Sequence, residues 1–209
     1  MNVLYYDDEI VVAVKDAGIL SQSDDKDRKN MPAELTRERG GPIYAVHRLD
    51  RETTGVMVFA RNKNSAAVLS AAIAEGNFEK EYLAIVSGAL EEKTGQMEDL
   101  LYFDRTKNKV FPVKRERKGV KKALLSYEVL KEKDGLSLVL VKPKTGRTHQ
   151  IRVQFASRRH PLYGDRKYGG SGDHLALFCR SLAFSHPKSG KKVSFTHEEF
   201  DSEILKSIT

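Results

Sequence analysis

The sequence predicts an α+β fold, with a largely antiparallel mixed sheet and a few flanking helices. Three observations lead there. Short apolar runs recur along the 209 residues, separated by clusters of Asp, Gly, Pro and Ser that favour turns. Only two or three segments carry the apolar spacing of a helix. Successive strands are joined by hairpin-length connections and do not alternate with helices, which argues against a doubly wound parallel sheet.

Each element has its own signal. LYY at the start, a turn at Asp7-Asp8-Glu9 and the run IVVAVKDAG ending at Gly18 read as a hairpin. Residues 21–30 (SQSDDKDRKN) are polar and expected to be a mobile loop. A short helix is expected from Pro32 to about Arg39, stopped by Gly40-Gly41-Pro42. GVMVFA (55–60) reads as a buried strand. Asn64 to Glu75 reads as a helix, with Ala66, Leu69 and Ile73 in apolar register and Gly76 ending it. YLAIVSG (82–88) is a strand. ALLSYEVLKEK (123–133), the turn signal Asp134-Gly135 and LSLVLVKP (136–143) read as a second hairpin. Thr148 to Ser157 reads as a helix, and 174–186 and 191–196 as closing strands around the turn HPKSG.

Composition narrows the function. Hydrophobic residues are 40% and charged residues 31%, which fits a globular protein with a charged surface. No run approaches the eighteen apolar residues of a membrane span. The start, MNVLYYDDEI, lacks the basic-then-apolar pattern of a signal peptide. The single cysteine, Cys179, has no internal disulfide partner, which favours a reducing compartment; a cytoplasmic protein is expected. Net charge is +7, and it is concentrated. Residues 105–122 carry nine Lys/Arg against one Glu, and residues 142–168 carry eight against one Asp, so the rest of the chain is acidic. Positive charge gathered in two segments points to a polyanionic partner. A lysine-rich solvated loop is the plainer alternative for 105–122.

Three segments carry chemistry. His47-Arg48-Leu49-Asp50-Arg51-Glu52-Thr53-Thr54-Gly55 precedes the strand GVMVFA, and Asp50 is flanked by Arg48 and Arg51. Flanking cations favour an ionised, oriented carboxylate, the form that nucleophilic or general-base work needs. An Asp that merely caps a turn remains the alternative. The segment 144–156 (KTGRTHQIRVQFA) leaves a strand, turns at Thr145-Gly146 and enters a helix, with Arg147 able to pair bidentately with an anion. Alternatively, Thr145 and Thr148 only cap that helix and Arg147 is a surface charge. In 80–88 (KEYLAIVSG), Tyr82 opens a buried strand; it is either core or a ring that stacks on a base.

Together these segments resemble the RluA family of pseudouridine synthases. HRLDRETTGVMVFAR is similar to the family's HRLD-x-x-TSG motif, and KEYLAIVSG to its tyrosine motif. KTGRTHQIRVQFA and HPLYGDRKYG (160–169) are similar to its third motif and the segment after it, and LALFCRSLAFSHPKSGKKVSF to its closing strands. The likeness spans nearly the whole chain.

The resemblance implies the pseudouridine synthase catalytic fold and isomerisation of specific uridines in structured ribosomal or transfer RNA. It implies Asp50 as the catalytic aspartate, Tyr82 as the ring on the uracil and candidate acceptor of the C5 proton, and Arg147 as the partner that keeps Asp50 charged and aimed. Arg48 would fill the space left by the flipped uridine, and Ile151 would wall the base pocket. His47 joins the RNA-facing set, although His47 and His149 read better as braces of their loops. Lys114, Arg115 and Arg117, in the insertion at 103–122, are further RNA-binding candidates. No metal or cofactor is expected. The six histidines show no metal-ligand spacing, and neither GxxxxGK[ST] nor GxGxxG occurs.

Some positions depart from the family. Thr53-Thr54-Gly55 stands for TSG and keeps the hydroxyl. Asp16 stands where Pro is common, and Phe178-Cys179-Arg180 where many members have Leu-His-Ala. The catalytic signals begin within the first twenty residues, which leaves no room for the small N-terminal RNA-binding domain that many members carry. A single catalytic domain over 1–209 is therefore expected, and a monomer is expected because nothing in the sequence demands more. Two other readings compete: a non-catalytic RNA-binding or RNA-folding protein on the same scaffold, and a carboxylate-dependent hydrolase using Asp50. The first has no need for Asp50, Tyr82 and Arg147 together. The second has no need for a basic surface.

Overall fold

Turn residues divide the apolar runs into eleven strands and three helices among the residues that the computed structural model describes, 1–24 and 29–198. In chain order these are β1 (Val3–Tyr6), β2 (Ile10–Lys15), α1 (Met31–Arg39), β3 (Tyr44–Ala45), β4 (Thr54–Ala60), α2 (Lys63–Ala74) and β5 (Glu79–Ser87). Then come β6 (Thr94–Asp104), β7 (Lys109–Val113), β8 (Val120–Lys133), β9 (Leu136–Pro143), α3 (Gln150–Ala156), β10 (Leu177–Ser185) and β11 (Lys192–Thr196). The α+β class holds. The chain forms two units, one of Met1–Lys80 with Cys179–Glu198, the other of Glu81–Phe178.

In the first unit β1 pairs antiparallel with β2, β2 with β4, β3 with β4 and β10 with β11. All six residues of β2 and six of the seven in β4 are buried, so this pair forms the floor of the unit. Asp7 makes the first turn: its Oδ1 accepts from the backbone N–H of Glu9 and Ile10, both at 2.8 Å. Asn30 and Asn62 cap α1 and α2 by accepting from Ala33 and Ser65. The expected mobility of 21–30 falls partly on 25–28, outside the described residues.

In the second unit β5 pairs with β9, β9 with β8, β8 with β6 and β6 with β7, all antiparallel. Asp134 and Gly135 both take positive φ (52° and 75°), the conformation a two-residue hairpin turn requires. Leu83, Ile85, Ala176 and Phe178 form one buried cluster; Leu101, Val110, Ala123 and Val153 form another, with Tyr168 packed on it.

The fold replaces the loop alternative for one segment and shifts the expected start of one helix. The basic segment 105–122 is not simply a loop. It contains β7 and the start of β8, because Val110 is buried beside Leu101 and the register Leu101↔Pro112 ties the segment to β6. α3 begins at Gln150, later than Thr148, because His149 takes a left-handed conformation (φ 51°) and makes no side-chain cap.

Candidate active site

The segment 47–53 turns into β4 with alternating exposure: His47 and Leu49 are buried, Arg48 and Arg51 are exposed, and Asp50 lies between these extremes. Hydrogen bonds to the backbone fix the loop on both sides of Asp50. Before it, the Ser21 hydroxyl donates to the Leu49 carbonyl at 2.7 Å and accepts from the Leu49 N–H at 2.9 Å. After it, the Arg51 carbonyl accepts from Lys15 Nζ at 2.8 Å and from the Gly18 N–H at 2.9 Å. Arg51 returns the contact, its Nε donating to the Gly18 carbonyl at 3.1 Å. The Asp50 carbonyl accepts from the Thr53 N–H at 3.1 Å and closes the turn.

Lys15 is fully buried, and burial pushes its ammonium down to about 8, against the pull of the Glu52, Asp16 and Asp50 carboxylates. Behind the loop, His47 Nε2 accepts from the Val58 N–H at 3.1 Å and Nδ1 lies 3.2 Å from Lys80 Nζ. Burial holds His47 well below the usual imidazole range and also lowers Lys80. With both ring nitrogens engaged inside the fold, His47 braces β4. This corrects its place among the RNA-facing residues.

The other candidates lie in the second unit. Tyr82 is buried in β5, opposite Val141 of β9. Ile151 is buried on α3. Arg147 is exposed, its Nε donating to the Lys122 carbonyl at 2.9 Å. The turn before α3 is organised by Gln150. Its Oε1 accepts from the Thr145 hydroxyl at 2.7 Å and the Arg147 N–H at 3.0 Å, and its Nε2 donates to the Leu124 carbonyl. No sequence signal marks Gln150 for this role, because its partner Leu124 on β8 lies 26 residues away. Lys114, Arg115 and Arg117 are exposed after β7, with the Arg117 guanidinium 4.7 Å from the centre of the Tyr102 ring.

The sequence model described as RNA pseudouridylate synthase matches residues 9–157, a span that includes Asp50, Tyr82, Arg147 and Ile151. The chain belongs to this family. The tRNA pseudouridine synthase C of Haemophilus ducreyi is 33% identical over 223 residues, covering 94% of this chain and 90% of the relative. The ribosomal large subunit pseudouridine synthase D of Borreliella burgdorferi is 34% identical over 86% of this chain and 59% of its own. The solved structure of human RNA pseudouridylate synthase domain containing 4 shares the fold, with a TM-score of 0.81, 23% identity and coverage of 99% of this chain and 91% of that one. An RNA pseudouridylate synthase isomerises uridine to pseudouridine, and the sequence-level assignment to an isomerase of RNA holds. No helix among the described residues is long and apolar enough to cross a membrane.

Proposed function

We propose that Asp50 supplies the carboxylate that acts on the target uridine, and that the substrate is a structured ribosomal or transfer RNA. The observation that carries this reading is the loop around Asp50, held by buried hydrogen bonds to Leu49 on one side and by a partly buried one to Arg51 on the other, while Asp50 itself is only partly covered. An oriented carboxylate at a strand entrance suits covalent or general-base work. Both named classes of relative, for transfer RNA and for the large ribosomal subunit, fit the substrate.

The isomerisation breaks the N1–C1′ glycosidic bond, turns the uracil in place and forms a C5–C1′ bond. The C5 proton leaves and N1 gains one, so composition is unchanged. Tyr82 is the ring against the uracil and the acceptor of the C5 proton, and Arg147 supports the aspartate's charge. A uridine in folded RNA must first be extruded, at a cost of a few kcal/mol. The exposed cations Lys114, Arg115 and Arg117 help offset that cost through phosphate contacts, and the exposed Arg48 fills the space that the flipped uridine leaves. The enzyme acts as a monomer in the cytoplasm, as one catalytic domain.

The test is a pseudouridine map of total RNA from cells lacking the protein, compared with the same cells given back the wild type or Asp50→Asn. Discrete sites that vanish and return only with the wild type support the reading. Sites restored by Asp50→Asn overturn it in favour of an RNA-folding protein on the same scaffold.

A further inference from the structure

Ser21 lies 28 residues before Leu49, outside the motifs around Asp50, Tyr82 and Arg147, yet its hydroxyl makes two hydrogen bonds to the residue preceding Asp50. A hydroxyl has one proton and two lone pairs, so it can donate to one peptide group and accept from another at once. Here it does both, and to the same residue. The Leu49 carbonyl belongs to the peptide plane that leads into Asp50, so holding it fixes the direction in which the aspartate leaves the chain. Ser21 is 4% exposed and Leu49 5%, so water does not replace the contact when it is lost.

We infer that Ser21 is a positioning residue for Asp50, acting on it through the Leu49 backbone. The inference rests on the proposed role of Asp50. Ser21 itself is placed independently of its side chain. Leu20, beside it, donates its N–H to the Lys29 carbonyl at 3.0 Å and accepts from the Met31 N–H at 2.8 Å, so the segment stays anchored when the hydroxyl is removed. What goes is the clamp. A misplacement of order 1 Å at a reacting group costs on the order of 100-fold in rate.

The test is single-turnover release of tritium from total RNA labelled at uridine C5, taken from cells lacking the protein. It compares wild type, Asp50→Asn, Ser21→Ala, Ser21→Cys and the control Ser23→Ala. Ser21→Cys keeps most of the side-chain volume with a thiol that bonds only weakly, and so guards against a cavity effect. The expected result is a rate lower by about 10-fold to 100-fold for both Ser21 variants. Half-saturating RNA concentration stays within about twofold of wild type, because binding does not depend on the aim of one carboxylate. Ser23→Ala behaves as wild type. Amide exchange at Leu49 and Asp50 accelerates in the Ser21 variants, while that of β4 does not.

Full activity of Ser21→Ala beside an inactive Asp50→Asn overturns the inference alone. So does a rate loss matched by faster exchange throughout β4, which marks general destabilisation. An active Asp50→Asn overturns the reading of Asp50 and the inference with it.

Discussion

Lys80 Nζ lies 3.2 Å from Nδ1 of His47, on a ring whose Nε2 already accepts the Val58 N–H. A backbone N–H only donates, so Nε2 carries no proton, and a neutral His47 must carry its proton on Nδ1. An ammonium at Lys80 would then set donor against donor. The contact is a hydrogen bond when Lys80 is a neutral amine, and burial lowers both groups in that direction.

That proton count has a spectroscopic consequence. Nitrogen-15 NMR of the imidazole is expected to show the Nδ1–H tautomer of His47, unchanged down to pH 6. Because the folded pKa is depressed, the unfolded chain takes up a proton first as pH falls below about 6.5. The stability contributed by this group is therefore fully present above that pH and declines on acidification, with a slope of up to ~1.4 kcal/mol per pH unit. Urea titrations between pH 7.5 and 5 should show the slope, and His47→Gln should flatten it. An imidazolium signal at pH 6.5 would contradict the assignment.

Gly55 ends the segment 47–55 with φ at 115°, and a Cβ there would lie 2.3 Å from the Cys179 carbonyl oxygen and 2.6 Å from its nitrogen. Those are backbone atoms of β10 and cannot swing aside. Gly55→Ala is expected to destabilise by about 3 kcal/mol or more, by urea or thermal melting, and to reduce soluble yield. Gly146 has open space around it and no positive φ, so Gly146→Ala should fold within about 0.5 kcal/mol of wild type. Equal tolerance at both positions would contradict the steric account.

Local signals explain which parts of this fold are legible in sequence. β2, β4 and β9 are compact apolar runs ended by turn residues, and their bounds agree with the sequence reading to within one or two residues, except that β2 ends at Lys15, before the predicted Gly18. β6 and β7 carry no such signal. TGQMEDLLYFD breaks the alternation of a strand, and β7 contains Pro112, which is tolerated where a strand has a free edge. The location of Asp50 is legible from its motif. The contacts that hold its loop are not, because Ser21 reaches across 28 residues and Lys15 across 36, and no spacing rule links them.

Arg152 is equally silent in sequence, because it sits in a helix among apolar residues. It is 8% exposed and meets the Asp165 carboxylate, 1% exposed, with Nε–Oδ2 at 2.7 Å and Nη2–Oδ1 at 2.8 Å. Asp165 also accepts through its backbone from Tyr168 and Gly170, so the pair fastens the turn 162–170 to α3. Arg152→Lys keeps the charge but loses the fork, and Arg152→Met strands a buried carboxylate. Expected losses are about 1–3 kcal/mol for Lys and about 3–5 kcal/mol for Met, by urea unfolding. Near-wild-type stability of Arg152→Met would remove the pair from the fold's supports.

The exposed cations after β7 are expected to set much of the salt dependence of RNA binding. Lys114, Arg115 and Arg117 stand at the end of an ordered strand pair, so their charges are presented together and with little loss of chain entropy on binding. Each phosphate contact releases condensed counterion and contributes roughly 0.7–0.9 to the slope of log affinity against log salt. Replacing all three with Ala should lower that slope by about 2–3 and weaken RNA binding most at low salt. The single-turnover rate at saturating RNA should remain near wild type, since none of the three belongs to the proposed catalytic set. Filter binding of total RNA between about 50 and 200 mM salt measures the slope directly. An unchanged slope would mean these side chains face solvent in the complex, and would move the electrostatic footprint to the second basic segment, 142–168.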